Sequence, residues 1–421
     1  MANASRRKVV ITGMLGNGLE WYDYALYGHM SLVFSKLFFP SEDASFSLIL
    51  TFLTFAVGFI SRPLGAVIFG RIGDKYGRKR ALTASMILMA IPTGCIGLLP
   101  TYAAIGVAAP ILLLLIRVLQ GLSLGGAFSG SMSYVVEHAD PKHRAITGSV
   151  TMLSLVAGFL MGSLVSTLVA TALPEEDFMS WGWRLPFFVG VLIGVVGYWL
   201  RNHGDESPVY KEAKESGALS ESPVKEAFTR FPMKMFQGFA FYLFVTIPFY
   251  TLAIYMIAYS KAHLGLPQED ALQVNSLAMI AMFLPMLPVA RAADLYGRRP
   301  VLMAVIIVML VAIYPAFELM QRGDFWSVAM GQMILAFILG AYLAPIPAVL
   351  VELFPTRIRY TGMALSYNFC AILGGFTPSI AEALIRQTGD KTSIMYLLFG
   401  AGACSFAALW AYKDKYREKL A

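Results

Sequence analysis

The chain has 421 residues, 57% of them hydrophobic and only 14% charged, and its mean hydropathy of +0.64 leaves too little polar surface to cover a water-soluble globule. A lipid bilayer is the solvent that suits such a composition, and the net charge of +7 is spread over loops instead of forming a nucleic-acid-binding patch. Cys95, Cys370 and Cys404 fall inside apolar runs as small buried hydrophobes, so neither a disulfide framework nor a metal set is implied.

A helix rising about 1.5 Å per residue needs roughly 20 mostly apolar residues to cross about 30 Å of hydrocarbon. Twelve such windows follow one another, at 9–32, 47–71, 81–99, 109–136, 145–173, 183–200, 236–260, 271–292, 300–320, 327–352, 362–386 and 393–412. The alternating strands of an outer-membrane barrel are not seen, so helices must satisfy the backbone in lipid. The expected fold class is an all-α membrane protein, with twelve transmembrane helices in two pseudo-symmetric six-helix bundles.

The first window begins after Arg6, Arg7 and Lys8, as a signal peptide would, but Glu20 and Asp23 interrupt it and no clean cleavage site follows. It is therefore expected to be retained as a span. At about 100° per residue, Gly13, Asn17, Glu20, Asp23, Tyr24 and Tyr27 fall within about a third of its circumference, one polar face on an apolar helix. A charge at the helix centre costs roughly 2.5–3.5 kcal/mol, so Glu20 and Asp23 should face a wet cavity or a cation. Either one of them carries the transported proton, or both are permanently ionised partners of an arginine.

Arg62 in the second window lies roughly 13 Å of helix inside its basic end, and a structural or coupling role is expected for it over substrate contact. In the fourth window Arg117 shares a face with Gln120, Ala127 and Ser131, and the matching position of the second half is Gln332, so this arginine belongs to one half only. Its fork can hold a substrate carboxylate bidentately; alternatively it neutralises Asp23 or Glu20.

The polar stretch 202–232 reads as a linker, dividing the chain into bundles at 1–201 and 233–421. An internal repeat agrees: Gly70-Arg-Ile-Gly-Asp74-Lys-Tyr-Gly77-Arg78-Lys79 returns as Ala290-Arg-Ala-Ala-Asp294-Leu-Tyr-Gly297-Arg298-Arg299, and Glu137 through Arg144 returns as Glu352 through Arg359. Repeats of this kind place a solute site near mid-membrane between halves that alternate its exposure. Asp74, Arg78, Glu137, Arg144, Asp294, Arg298, Glu352 and Arg359 sit at the ends of spans, where opposite charges and helix termini can form a gating clamp or can merely set topology. In the second half, Tyr242, Tyr250, Tyr255, Tyr342, Tyr367 and Asn368 can hydrogen-bond a solute or present a ring to its cationic part, or serve packing alone. Most of the 33 Lys and Arg residues collect on alternate loops, which by the positive-inside rule puts both termini in the cytoplasm, in a bacterial inner membrane.

The loop Gly-x-x-x-Asp74-Lys-x-Gly77-Arg78-Lys79 resembles the hallmark of the major facilitator superfamily. Asn17-x-x-Glu20-Trp21-Tyr22-Asp23, Arg62-Pro63-x-Gly65, Arg117-x-x-Gln120-Gly121-x-x-x-Gly125-Gly126, Trp181-Gly182-Trp183-Arg184-x-Pro186-Phe187 and Glu352-Leu-Phe-Pro355-Thr-Arg-x-Arg359-x-Thr361-Gly362 are, as a set, similar to its metabolite:proton symporter branch. Membership implies the twelve-helix fold and proton-driven uptake of proline, betaines, di- or tricarboxylates, 2-oxoglutarate or shikimate. One departure counts: the branch often has an acidic residue after the paired glycines, where this chain has Ala127. The short stretch after the last window also leaves no room for the coiled coil of osmosensing members.

The expected function is therefore a secondary active symporter for a small carboxylate-bearing or zwitterionic metabolite. Glu20, Asp23 and Arg117 couple the proton, while Asn17, Tyr24, Tyr27, Arg117, Gln120, Tyr250, Tyr342, Tyr367 and Asn368 bind the solute. A proton-coupled exporter is disfavoured by the lack of a Gly-Pro signature in the fifth window, and a non-transporting sensor by the short loops. No nucleotide loop, nucleophile constellation or metal spacing suggests an enzyme. The proton gradient needs no cofactor, and the expected partners are solute, protons and lipid, with a monomer as the working unit and no nucleic acid.

Overall fold

The computed structural model describes residues 17–18, 20–65, 67–69, 78–125, 127–137, 139–202, 223–416 and 418, and every regular element among them is helical. Twelve spans follow in order: α1 (20–38), α2 (Ala44–Phe69), α3 (Arg78–Leu98), α4 (Ala108–Leu124, continued by Ala127–Glu137), α5 (Arg144–Ala172), α6 (Leu185–Asn202), α7 (Pro232–Ala262), α8 (Gln268–Tyr296), α9 (Arg298–Met320), α10 (Phe325–Leu353), α11 (Thr356–Thr388) and α12 (Met395–Trp410). Among the described residues, α2, α5 and α7 to α11 are each long and apolar enough to cross a bilayer, and α3, α4, α6 and α12 contain shorter apolar helices. Among the described residues, each expected window is thus mainly helical. Span α1 runs further than its window, to Phe38, with a turn at Met30. Gly13, the loop 70–77 with Asp74, and 203–222 of the linker lie outside the described residues, and Arg78 is described only as the start of α3.

The lateral surface is apolar: Leu168, Leu192 and Val311 are about two-thirds exposed, while Arg62, Arg117, Asn275 and Glu382 are buried. That inversion is what lipid as solvent demands. The two bundles, α1–α6 and α7–α12, meet chiefly along α2 against α11 and along α5 against α8 and α10.

Glycine decides how closely helices approach inside the first bundle. A Cβ on Gly121 of α4 would overlap the carbonyl oxygen of Gly58 on α2, and the Ser61 hydroxyl donates to the Val118 carbonyl at 3.1 Å. The backbones of α2 and α4 therefore lie in contact, and the side chains at either edge of that seam are held in fixed relation.

Both ends of the bundle interface are closed. On the basic face, which carries the loops α2–α3, α4–α5, α8–α9 and α10–α11, Asp294 accepts the backbone N–H groups of Ala145 at 2.9 Å and Ile146 at 3.0 Å. Its carboxylate thus sits at the positive end of the 29-residue α5. Arg298 reaches Asp294 at 2.9 Å and Glu352 at 3.1 Å; Arg144 reaches the same Glu352 oxygen at 3.5 Å. Glu137 pairs with Arg359 at 2.9 Å, and Arg359 Nε also donates to the carbonyls of Val351 and Phe354. Six of the eight expected clamp residues therefore meet, joined across the bundles by Asp294, Arg144–Glu352 and Glu137–Arg359. On the opposite, far face Asp43 pairs with Arg386 at 2.6 Å and Glu175 with Lys261 at 3.4 Å, in links largely open to water.

Burial separates the two closures energetically. Removing one partner of a buried pair strands the other and costs about 3–5 kcal/mol, whereas an exposed pair is worth about 0–1 kcal/mol. Glu352, 1% exposed between two arginines, is expected to lower the thermal midpoint of the purified protein strongly when changed to Gln, and Asp43→Asn to change it little. Equal shifts for the two variants, measured by intrinsic fluorescence on heating, would refute this ranking.

Candidate functional site

The sequence places Phe55, Phe59 and Arg62 on successive turns of one face of α2, and Trp21, Tyr24 and Tyr27 along the inward face of α1. Where these faces meet α4, two guanidinium groups are buried side by side. Arg117 donates to Gln120 Oε1 at 2.8 Å and stands 4.4 Å from the centre of the Tyr24 ring, 4.6 Å from Tyr27 and 5.0 Å from Phe55. Arg62 donates to the Tyr367 hydroxyl of α11 at 2.9 Å and lies 4.1 Å from the Phe59 ring, 4.7 Å from Tyr24 and 5.5 Å from Trp21. The Tyr24 ring is shared by both cations. Both arginines are fully buried, and among the described residues neither forms an ion pair. Among the described residues, Nε of Arg117, Nε and Nη2 of Arg62 and the Tyr24 hydroxyl have no hydrogen-bond partner.

Aromatic faces explain how the charges are tolerated at all. A ring over a guanidinium returns about 0.5–2 kcal/mol, less than a carboxylate would, so the cage holds the cations without neutralising them. Beside it lies a cavity of about 20 Å³ between the bundles, lined among others by Trp21, Tyr242, Phe249, Tyr250 and Tyr367. That is room for a water, not for a metabolite, and a solute needs the bundles to part.

The polar sector of α1 divides among three neighbours. At one edge the Asn17 amide donates to Ser154 Oγ at 2.7 Å and accepts from the Trp21 indole at 3.2 Å, so Asn17 reaches the cage only through Trp21. At the other edge Asp23 lies beside Thr93 of α3 and against Gly190 of α6, its Oδ1 without a hydrogen-bond partner among the described residues. Tyr24 and Tyr27 point at the arginines between them, and Glu20 is buried on the same helix. The direct pairing of Arg117 with Asp23 weighed from the sequence is not formed. Gln120 bridges the gap, accepting from Arg117 and donating to Thr93 at 2.9 Å, next to Asp23.

In the second bundle Tyr250 and Tyr367 join the cage, as does Tyr242 through its ring contact with Tyr367 at 5.0 Å. Tyr342 does not: its hydroxyl donates to the Phe241 carbonyl at 3.0 Å and its ring packs on Phe244. Asn368 is turned toward α4, donating to the Gly125 carbonyl at 3.3 Å. Arg62, read from the sequence as structural or coupling, is a central member of the cage. The signal that would have placed it there is the spacing of Phe55, Phe59 and Arg62 along one helical stripe.

Known proteins match this chain along its length. Residues 9–222 match the family model of sugar and other transporters, and 273–421 that of the major facilitator superfamily. A proline/betaine transporter of Salmonella typhimurium is 33% identical over 401 residues, covering 93% of this chain and 80% of that protein. An inner membrane metabolite transport protein of Escherichia coli is 34% identical, covering 98% of this chain and 96% of that one. Among solved structures, a D-xylose-proton symporter superposes with a TM-score of 0.77 at 16% identity, over 98% of this chain and 99% of that chain, which shows the fold. The twelve-helix architecture and the relatives agree: this chain is a multi-pass membrane transporter belonging to the major facilitator superfamily.

Proposed function

We propose that the protein imports a small zwitterionic carboxylate, of the betaine or proline type, together with protons. The observation that carries this reading is the pair of buried guanidinium groups, Arg62 and Arg117, that lack a carboxylate partner among the described residues, with Arg62 set against Trp21 and Tyr367, two of the side chains that line the aromatic cavity. A solute carboxylate supplies the missing anion, accepting from the unpartnered N–H groups by charge-assisted bonds. Trp21, Tyr242, Phe249 and Tyr250 then offer ring faces to the solute's ammonium carbon atoms. The proline/betaine transporter names of relatives about a third identical support the same chemistry.

Proton coupling is assigned to the α1 carboxyls. Asp23 is buried, forms no ion pair among the described residues and touches the guanidinium cage through Thr93 and Gln120. A carboxyl so placed exchanges its proton with water when the bundles open and is sealed when they close. With the basic face cytoplasmic, the far face opens to the periplasm, the side from which solute and proton enter. The protein works as a monomer on this reading, since each chain holds a complete cage.

Proteoliposomes under an inward proton gradient test the substrate class. Labelled glycine betaine or proline should accumulate and be released by a protonophore, and accumulation of citrate or 2-oxoglutarate alone would move the assignment to organic acids. Arg117→Lys and Arg62→Lys should each raise the half-saturating concentration about 10- to 100-fold, the loss of a bond worth about 1.5–3 kcal/mol. An unchanged affinity in either variant removes that arginine from the carboxylate site.

The coupling assignment makes a separate demand. Asp23→Asn should abolish gradient-driven accumulation while leaving solute exchange between equal pools on the two sides largely intact, because exchange needs no net proton movement. Full accumulation by both Asp23→Asn and Glu20→Gln would overturn the assignment to α1.

A further inference from the structure

Another buried carboxyl lies about four turns from the cage, and neither the family match nor the transport reading uses it. Glu382 of α11 is 1% exposed. Its Oε2 accepts from the Tyr255 hydroxyl of α7 at 2.6 Å and lies 2.9 Å from Nε2 of His263, the residue that follows α7, while Oε1 has no hydrogen-bond partner among the described residues. Ser45 of α2, from the other bundle, stands beside the same carboxyl, and the Tyr255 ring meets Phe52 of α2 at 5.8 Å. One turn further along α11, Arg386 holds Asp43 at the start of α2. His263, 13% exposed and just beyond the end of α7, is the member nearest to water.

We propose that Glu382, His263 and Tyr255 form a proton-operated latch on the far-face closure. Water on that side delivers a proton to His263, whose Nε2–H then donates to the Glu382 carboxylate. A hydrogen bond between a neutral imidazole and a carboxylate becomes an ion pair, and the end of α7 is fastened to α11 where α11 meets α2. When His263 releases the proton the pair reverts to an imidazole–carboxylate contact and the closure loosens. Histidine is the side chain suited to this, since its ordinary titration falls within the physiological range.

Among the described residues, the groups that face His263 offer no competing switch in that range. From α7, the Tyr259 ring packs at a tilt against His263 with centroids 5.5 Å apart, and its hydroxyl is held by Gln321 and the Lys391 carbonyl. In the loop after α11, Lys391 Nζ donates to the His263 carbonyl at 2.6 Å. Asp390 acts on Tyr259 from the same loop, and its own carboxyl is held below the usual range by hydrogen bonds from the Thr392 backbone and hydroxyl, so it stays ionised. From α2 come Ser45 and Asp43, and Asp43 is already paired with Arg386. The latch goes beyond the transport reading: it binds a proton in the closure, away from the solute cage, and couples an acidic exterior to closing after loading.

Distances across the far face test it without any transport step. Spin labels on Glu176→Cys and Gln387→Cys, both exposed on that face, report the separation of the bundles in the full-length protein in nanodiscs with its native cysteines replaced. The closed-to-open ratio should fall about tenfold between pH 5.5 and pH 8, equivalent to about 1.4 kcal/mol. His263→Gln and Glu382→Gln should both shift toward open and lose the pH response, whereas His263→Lys, permanently charged, should stay closed at both pH values. A wild-type distribution indifferent to pH, a His263→Gln variant that keeps the response, or a His263→Lys variant that opens would each overturn the latch. Because no solute or gradient is present, failure here is distinct from failure of the betaine or proline assignment.

Discussion

Two guanidinium groups packed against one tyrosine ring, with no ion pair to either among the described residues, are the constraint to which the rest of the bundle is fitted. Like charges in a water-poor interior repel and lose hydration, and the loss is offset only when each cation is surrounded by ring faces and hydrogen-bond acceptors. The aromatic faces of α1 and α2, the Gln120 acceptor on α4 and the Tyr367 hydroxyl on α11 supply that environment. The arrangement also requires α2 and α4 to lie in backbone contact, which the glycine pair Gly58 and Gly121 allows. On the proposed reading, a site held short of one anion binds the solute's carboxylate when the bundles open, and this deficit is the chemical basis of recognition.

The two ends of the interface use charge differently. On the basic face Asp294 caps α5 of the opposite bundle, and Glu352 is shared by two buried arginines, so closure is a network whose members depend on one another. On the far face the Asp43–Arg386 pair is half open to water and contributes little by itself. Alternating access requires that the energies of the two closures be comparable when solute and proton are bound. A weak water-exposed pair reinforced by a conditional buried one meets that requirement better than a second permanent network.

Much of this was written in the sequence. Span positions follow from apolar windows set by bilayer thickness, and the clamp residues from the internal repeat, because both signals are periodic and local. The polar sector of α1 was also readable, yet its destinations were not: Asn17 and Asp23 stand at opposite edges of a sector about 120° wide, and only the positions of α5 and α6 decide which neighbour each meets. Tyr342 and Asn368 illustrate the same limit, since a polar side chain in an apolar span can satisfy itself on a nearby carbonyl, as these do on Phe241 and Gly125. Glu382 was visible as an acidic residue within the eleventh window, but its partners come from α7, more than a hundred residues away in the chain.

Helix α7 connects the two sites. Tyr250 contributes to the cage, and the next five residues, Thr251–Tyr255, form a turn of π-helix that ends on the tyrosine holding Glu382. A π turn carries one more residue than an α turn and leaves the ladder locally under-constrained, which is why such turns recur at functional positions in helices. Here it lies between the residue that would touch solute and the residue that fastens the closure. Displacement of Tyr250 by a solute larger than the present cavity can be absorbed only by moving the cage wall or by shifting this turn, and a shift of the turn moves Tyr255 relative to Glu382. On the proposed reading, a shift of this turn links occupancy of the cage to fastening of the far face through five residues of backbone rather than through a long path of side chains.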